Sequence, residues 1–336
     1  MSPGGLVPGH PGAADPADRG RAAGSAGAAV LGSAHRRTKT RAAGLSIASN
    51  ATLIALKLVA GVLTGSIAVI TEAVHSSIDL IASIVAYVSV RKAGEPADRE
   101  HPYGHAKVEN LAAAFEGVLI LVGAAVIVIE SIRRLLEPSE VGLLGVGIGV
   151  IAFSVVANVV VSTLLRRKAR ETESPALEGD AAHLRTDALT SGGVLAGLVL
   201  VEVTGFEQID PGVALVVAGA IVTSGVRLVT RSSRVLVDEA LPPDELAAVQ
   251  NAIAAHGSPE VVGFHALRAR RAGSDRYVDL HVQFRRGTSL ERAHDLAHEL
   301  THEIRTRLRG ADVLIHLEPE DAVRSSDAEH GEARGR

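Results

Sequence analysis

The chain has 336 residues, 47% of them hydrophobic and 21% charged, with three Tyr, five Phe, no Trp and no Cys. Together with a positive mean hydropathy of +0.24, this composition points to a membrane protein that carries a soluble part. The lack of cysteine excludes disulfides, thiolate metal sites and cysteine nucleophiles, and a net charge of -4 with no basic tract interleaved with aromatics argues against nucleic acid as a partner.

Residues 1–35, rich in Gly, Ala and Pro, read as a disordered tail without the apolar core of a signal peptide. The basic cluster Arg36 to Arg41 precedes a first apolar segment, about Ala42 to Leu63, in which Lys57 is expected to snorkel toward the interface. Only Thr64-Gly65-Ser66 separates it from a second segment, Ile67 to Val90, so the pair should form an antiparallel hairpin. A polar connection, Arg91 to Lys107, leads to a third segment, about Val108 to Leu136. The fourth, Val141 to Leu165, carries no charge and exceeds the roughly 20 residues a bilayer crossing needs. A basic loop, Arg166 to Arg170, is followed by the fifth segment, about Pro175 to Val203, and the sixth, about Pro211 to Val229.

With six spans, the basic stretches 36–41, 91–92, 166–170 and 227–234 fall on one side of the membrane, which puts both termini in the cytoplasm. Arg133-Arg134 falls on the other side. After Leu241-Pro242-Pro243 the texture becomes that of a soluble domain. A helical pattern from Asp244 to His256 is followed by strand-like alternation over Val261 to Arg270 and Arg276 to Phe284, a second helix over Leu290 to Leu308, and a short strand, Val313 to Leu317. The expected organisation is a tail at 1–35, a six-helix membrane domain at 36–236, a small α-β-β-α-β domain at 237–320 and a charged tail at 321–336.

Two of the membrane-like segments carry the same pairing. Residues four apart share a helix face about 6 Å from each other, so His75 and Asp79, like His183 and Asp187, can grip one object. Two imidazoles and two carboxylates compose a tetrahedral zinc set. Each ionisable group costs a few kcal/mol to place in a bilayer, so four of them on two helices imply a cavity and a ligand; helix-end side chains in the interface are the plainer alternative. In the polar connection, Asp98, His101 and His105 have ligand spacing, although a solvated loop held by Pro96 and Pro102 explains the same residues. His298-Glu299-Leu300-Thr301-His302 is a literal H-E-x-x-H, the metalloprotease arrangement. It lies in a domain too small for a catalytic cleft and runs on into Ile304-Arg305-Thr306-Arg307 without a third-ligand motif, so a charged, solvated helix face accounts for it. A membrane-tethered zinc sensor is a third reading, although an anchor does not need paired ionisable residues.

These motifs in this order, with the segment from Asp98 to Glu109 and the strand Asp312 to His316, resemble the cation diffusion facilitator family of proton-coupled zinc exporters over about residues 40–320. The resemblance implies a ferredoxin-like, metallochaperone-like cytoplasmic domain and a likeness in function: efflux of Zn2+ against protons at His75, Asp79, His183 and Asp187. It also implies a loop zinc site at Asp98, His101 and His105. His265, His281, His294, His316 and Glu318 would form a cytoplasmic zinc site at a homodimer interface, where family members often have Asp in place of Glu318. Lys107 and Asp238 match positions of a charge link between subunits. Partners would be divalent metal ions, membrane lipid and a second copy of the chain.

The protease alternative separates cleanly from transport: it expects zinc-dependent peptide hydrolysis that Glu299→Ala abolishes, whereas the transport reading expects no hydrolysis in a fluorogenic peptide assay.

Overall fold

The computed structural model describes residues 16–64, 67–136, 145–204, 206, 208–308 and 310–321, with side chains described from His35 onward and His75 among the exceptions. Six helices lead the chain: α1 (Pro16–Thr64), α2 (Ile67–Ala93), α3 (Lys107–Leu136), α4 (Gly145–Thr172), α5 (Pro175–Thr204) and α6 (Ile209–Leu236). Among the described residues five of them, all but α2, are long and apolar enough to cross a membrane. Hydrocarbon offers no partner to backbone N–H and C=O groups, so a chain this apolar must satisfy them within helices.

The outward faces are apolar, with Val122, Val126 and Ile129 of α3 and Val156 and Val160 of α4 exposed. Small residues such as Ala82, Ala86, Ala112 and Ala113 are buried between helices, where they let backbones approach closely. Helices α3 and α6 approach each other closely. A Cβ at Gly117 would lie 2.7 Å from Val229 Cγ2, and one at Gly225 would lie 2.9 Å from Leu121 Cδ2, so both positions require glycine.

Three expectations need correction. The helix α1 begins at Pro16, inside the stretch read as a disordered tail. That stretch is rich in Ala, the strongest helix former, and Pro is well tolerated in a first turn. The basic stretch Arg166 to Arg170 is not a loop but the last turns of α4, where Arg167 and Lys168 pair with Glu171 at 3.1 and 2.6 Å. The chain reverses immediately after it, at Glu173 with φ 49°, and Ser174 Oγ accepts from the Leu177 N–H at 3.4 Å at the start of α5. Lys57 does not snorkel: it is buried, and its Nζ donates to Ser76 Oγ of α2 at 2.7 Å. An ammonium that finds a hydroxyl on the neighbouring helix does not need to reach the interface.

The C-terminal domain follows the expected order, with α7 (Pro243–Ala255), β1 (Val261–Ala272), β2 (Asp275–Phe284), α8 (Leu290–Arg307) and β3 (Ala311–Pro319). The sheet order is β1-β2-β3, with β1 antiparallel and β3 parallel to β2. On β2, Val278, Leu280, Val282 and Phe284 are buried on the face covered by α8, whose Ala293, Leu296, Leu300 and Ile304 recur at helical spacing. The other face of the sheet carries His281 and its neighbours.

The β1–β2 turn docks on the start of α3. The Gly273 N–H donates to Asn110 Oδ1 at 2.9 Å, and Lys39 Nζ reaches Glu109 Oε1 at 2.9 Å and Ser274 Oγ at 3.3 Å. Arg271 and Arg276 of the domain both engage Glu173 of the bundle and Glu245 of α7. Leu300→Ala empties the centre of the soluble core and should cost about 2–5 kcal/mol, read as a lowered thermal midpoint for the domain in circular dichroism melts of the solubilised chain.

Candidate metal centres

Asp79 on α2 and His183 and Asp187 on α5 converge in the interior of the bundle. His183 Nε2 lies 3.2 Å from Asp79 Oδ1 and 3.9 Å from Asp187 Oδ2, and one ligand atom from each of the three falls within 4.8 Å of the others. Asp79 and His183 are buried, at 7% and 6% exposure. His75, the fourth expected ligand, belongs to α2 one turn before Asp79, but its side chain lies outside the described residues. Neutral imidazole and carboxylate are the donors that zinc accepts, and the three described side chains already form more than half of a tetrahedral shell.

A residue that sequence reasoning passed over lies one turn before His183. Asp180 is fully buried, and its Oδ1 accepts from Ser46 of α1 at 3.0 Å and Ser83 of α2 at 2.9 Å. Asn50 Nδ2 in turn donates to Ser83 Oγ at 2.9 Å. The network ties α1, α2 and α5 together beneath the site. The signal was present as Asp180, His183 and Asp187, spaced i, i+3 and i+7 on one helix face.

The loop residues also meet. His101 Nδ1 and His105 Nε2 each lie 3.3 Å from an oxygen of Asp98 and 3.1 Å from each other. The Asp98 carboxyl is held below the ordinary carboxylate range, chiefly by the His101 N–H at 2.6 Å, with help from the Glu100 N–H at 2.9 Å. His105 is buried and lies two residues before the start of α3, so the loop is pinned to the bundle.

In the C-terminal domain the sheet register lines up a histidine row: His265 pairs with His281, and His281 with His316. Glu318, two residues past His316, reaches across it, with Oε2 2.7 Å from His265 Nε2 and Oε1 2.7 Å from His281 Nδ1. Burial favours the neutral Glu318 carboxyl, but the contacts with His265 and His281 outweigh it and hold its pKa below the usual range. His316 is more exposed, and its Nε2 stands 3.6 Å from Glu318 Oε1. His294 is not brought to this group; it lies on α8, where its Nε2 is 3.1 Å from His298 Nε2. Lys107 Nζ, at the start of α3, lies 2.7 Å from Asp238 Oδ1 of the same chain, just past the end of α6. The packing of α3 on α6 brings those two ends together, and the hydrogen bond from Lys107 is the main reason the Asp238 carboxyl titrates low.

A family model for the cation efflux transmembrane domain matches residues 44–237, and one for the cytoplasmic domain of cation efflux proteins matches residues 241–320. The chain belongs to the cation diffusion facilitator family. Relatives within reach of this facilitator include the uncharacterized transporter sll1263 of Synechocystis sp., 35% identical over 84% of this chain and 90% of its own. The cation-efflux pump FieF of Pectobacterium carotovorum is 33% identical, covering 86% of this chain and 95% of its own, and FieF of Yersinia pestis is 34% identical, covering 87% and 97%. This facilitator is therefore a cation efflux transporter, not a classical enzyme.

Asp180→Ala removes the acceptor of two buried hydroxyls, and the solubilised facilitator should lose about 1–3 kcal/mol of stability for each hydroxyl left unpaired. Asp180→Asn keeps an oxygen acceptor and should recover much of the loss in the same circular dichroism melts.

Proposed function

We propose that this transporter exports Zn2+ from the cytoplasm in exchange for protons, by alternating access at His75, Asp79, His183 and Asp187. The observation that carries the reading is the convergence of Asp79, His183 and Asp187 from two helices of the bundle. A donor set of imidazole nitrogen and carboxylate oxygen suits zinc better than ions that prefer all-oxygen shells.

Metal and protons compete for the same atoms, because imidazole and carboxylate must both be deprotonated to bind a cation. An imidazole titrates near 6.5 when unperturbed, so the side chains that take Zn2+ from the cytoplasm release protons there and regain them on the far side once the ion leaves. Rigid-body movement of helices that opens the site to one face at a time makes the exchange vectorial. Outside the bundle, Asp98, His101 and His105 supply a loop zinc site, and His265, His281, His316 and Glu318 supply a cytoplasmic gauge of zinc. We place the protein in a bacterial inner membrane as a homodimer with both termini in the cytoplasm, the histidine face of the sheet turned toward the second copy.

Reconstituted in proteoliposomes, the protein should move Zn2+ at a rate set by an imposed pH gradient, and His183→Ala or Asp187→Ala should reduce that flux to background. A flux indifferent to the gradient overturns the exchange; a flux that survives both substitutions overturns the site.

A further inference from the structure

The H-E-x-x-H stretch lies on α8, outside the bundle, and the fold brings a partner to it. Helix α7 ends at Ala255, His256 caps it, and Gly257, at φ +63°, turns the chain away, leaving the His256 ring against α8. Only 9% of that side chain is exposed, and its Nε2 is buried with no hydrogen-bond partner. A buried polar atom left in this way is costly, and an occupant would offset the cost. Across from it on α8, Glu299 Oε2 lies 3.7 Å from Nε2, and Glu303 Oε2 lies 3.6 Å from Nδ1 on the other edge of the ring. With His298, His302 and Thr306 these residues wall an open cup of about 540 Å3.

We propose that this cup is a binding site for a divalent cation of the zinc class, distinct from the transport site, the loop site and the histidine row. His256 Nε2 and Glu299 Oε2 are its first two ligands, and His302, which lines the cup farther off, completes the set by turning its side chain toward the ion. Two donors each about 2.0–2.1 Å from one ion lie within roughly 4.2 Å of each other, and the 3.7 Å separation falls inside that limit. Glu303 plays the outer role that a carboxylate commonly has toward a metal-binding histidine: it draws the proton to Nδ1 and leaves the Nε2 lone pair for the ion. Arg292 approaches the other oxygen of Glu299, at 4.0 Å from Oε1, and leaves Oε2 to the cup. The site occupies the helical layer of the domain, whereas the histidine row lies on the opposite face of the sheet, so the two load independently.

The test is zinc counting on the full-length chain in detergent, by equilibrium dialysis against buffered Zn2+ followed by elemental analysis. His256→Ala and Glu299→Gln should each bind one ion fewer per chain than the parent, and Glu303→Gln should weaken that one ion about 10- to 100-fold. Glu299 is half exposed, so Glu299→Gln leaves packing intact and carries the decision if His256→Ala folds poorly. Zinc flux in proteoliposomes should be unchanged in Glu299→Gln, which keeps this result separate from the fate of the transport site. A Glu299→Gln chain that retains the full zinc complement at every free zinc concentration overturns the proposal.

Discussion

The expense of holding charge away from water organises this molecule. Within the bundle, Asp79, Asp180 and His183 are buried, and each is met by side chains from another helix. Lys57 follows the same rule by leaning on Ser76. None of α1, α2 and α5 can turn far about its axis without exposing one of these groups to lipid, at a few kcal/mol apiece. The polar contacts therefore set which face of α1, α2 and α5 looks inward, and the apolar outer surface follows from that choice.

Where the bundle meets the soluble domain, the same expense is met by ion pairing. Lys39 and Glu109 are both buried, and Ser174 donates to the second oxygen of Glu109. Removing one member of such a pair costs about 3–5 kcal/mol, far more than a surface pair is worth, so the junction is firm. Its members come from α1, α3 and the start of α5, and Ser274 joins them from the β1–β2 turn. Gly273 completes the fit, since a Cβ there would stand 2.7 Å from Ala106 O beside the histidine loop. The loop site, the first turn of α3 and the soluble domain thus share one rigid seam.

Much of this was legible because the period of the pattern was strong. Apolar runs of bilayer length marked the helices, and alternation in Arg276 to Phe284 marked a half-covered strand. The pairing of His183 with Asp187 could be read from spacing alone, since four residues is about one helical turn. What escaped were features set by partners distant in sequence. Asp180 looked like one more polar residue at a helix start until Ser46 and Ser83 arrived from two other helices. The end of α4 was misread because charge was taken as a sign of loop, although Arg, Lys and Glu hold a helix well once it leaves the membrane. Nothing local announced that His256 would lie against Glu299, and a literal motif drew attention to His298 while the buried nitrogen belonged to another helix.

The histidine row is assembled by register, and its last contributor is the last strand. His265 and His281 are in place once β1 and β2 form a hairpin, but His316 and Glu318 join only when β3 is laid parallel to β2. A parallel strand needs a crossover connection, here α8, so the row closes only after α8 and β3 have been made. A ribosome that stalls before residue 311 would release a chain whose membrane helices are all made and whose row lacks Glu318. Completion of the sheet is thus a molecular signature that β3 has been translated and laid in place.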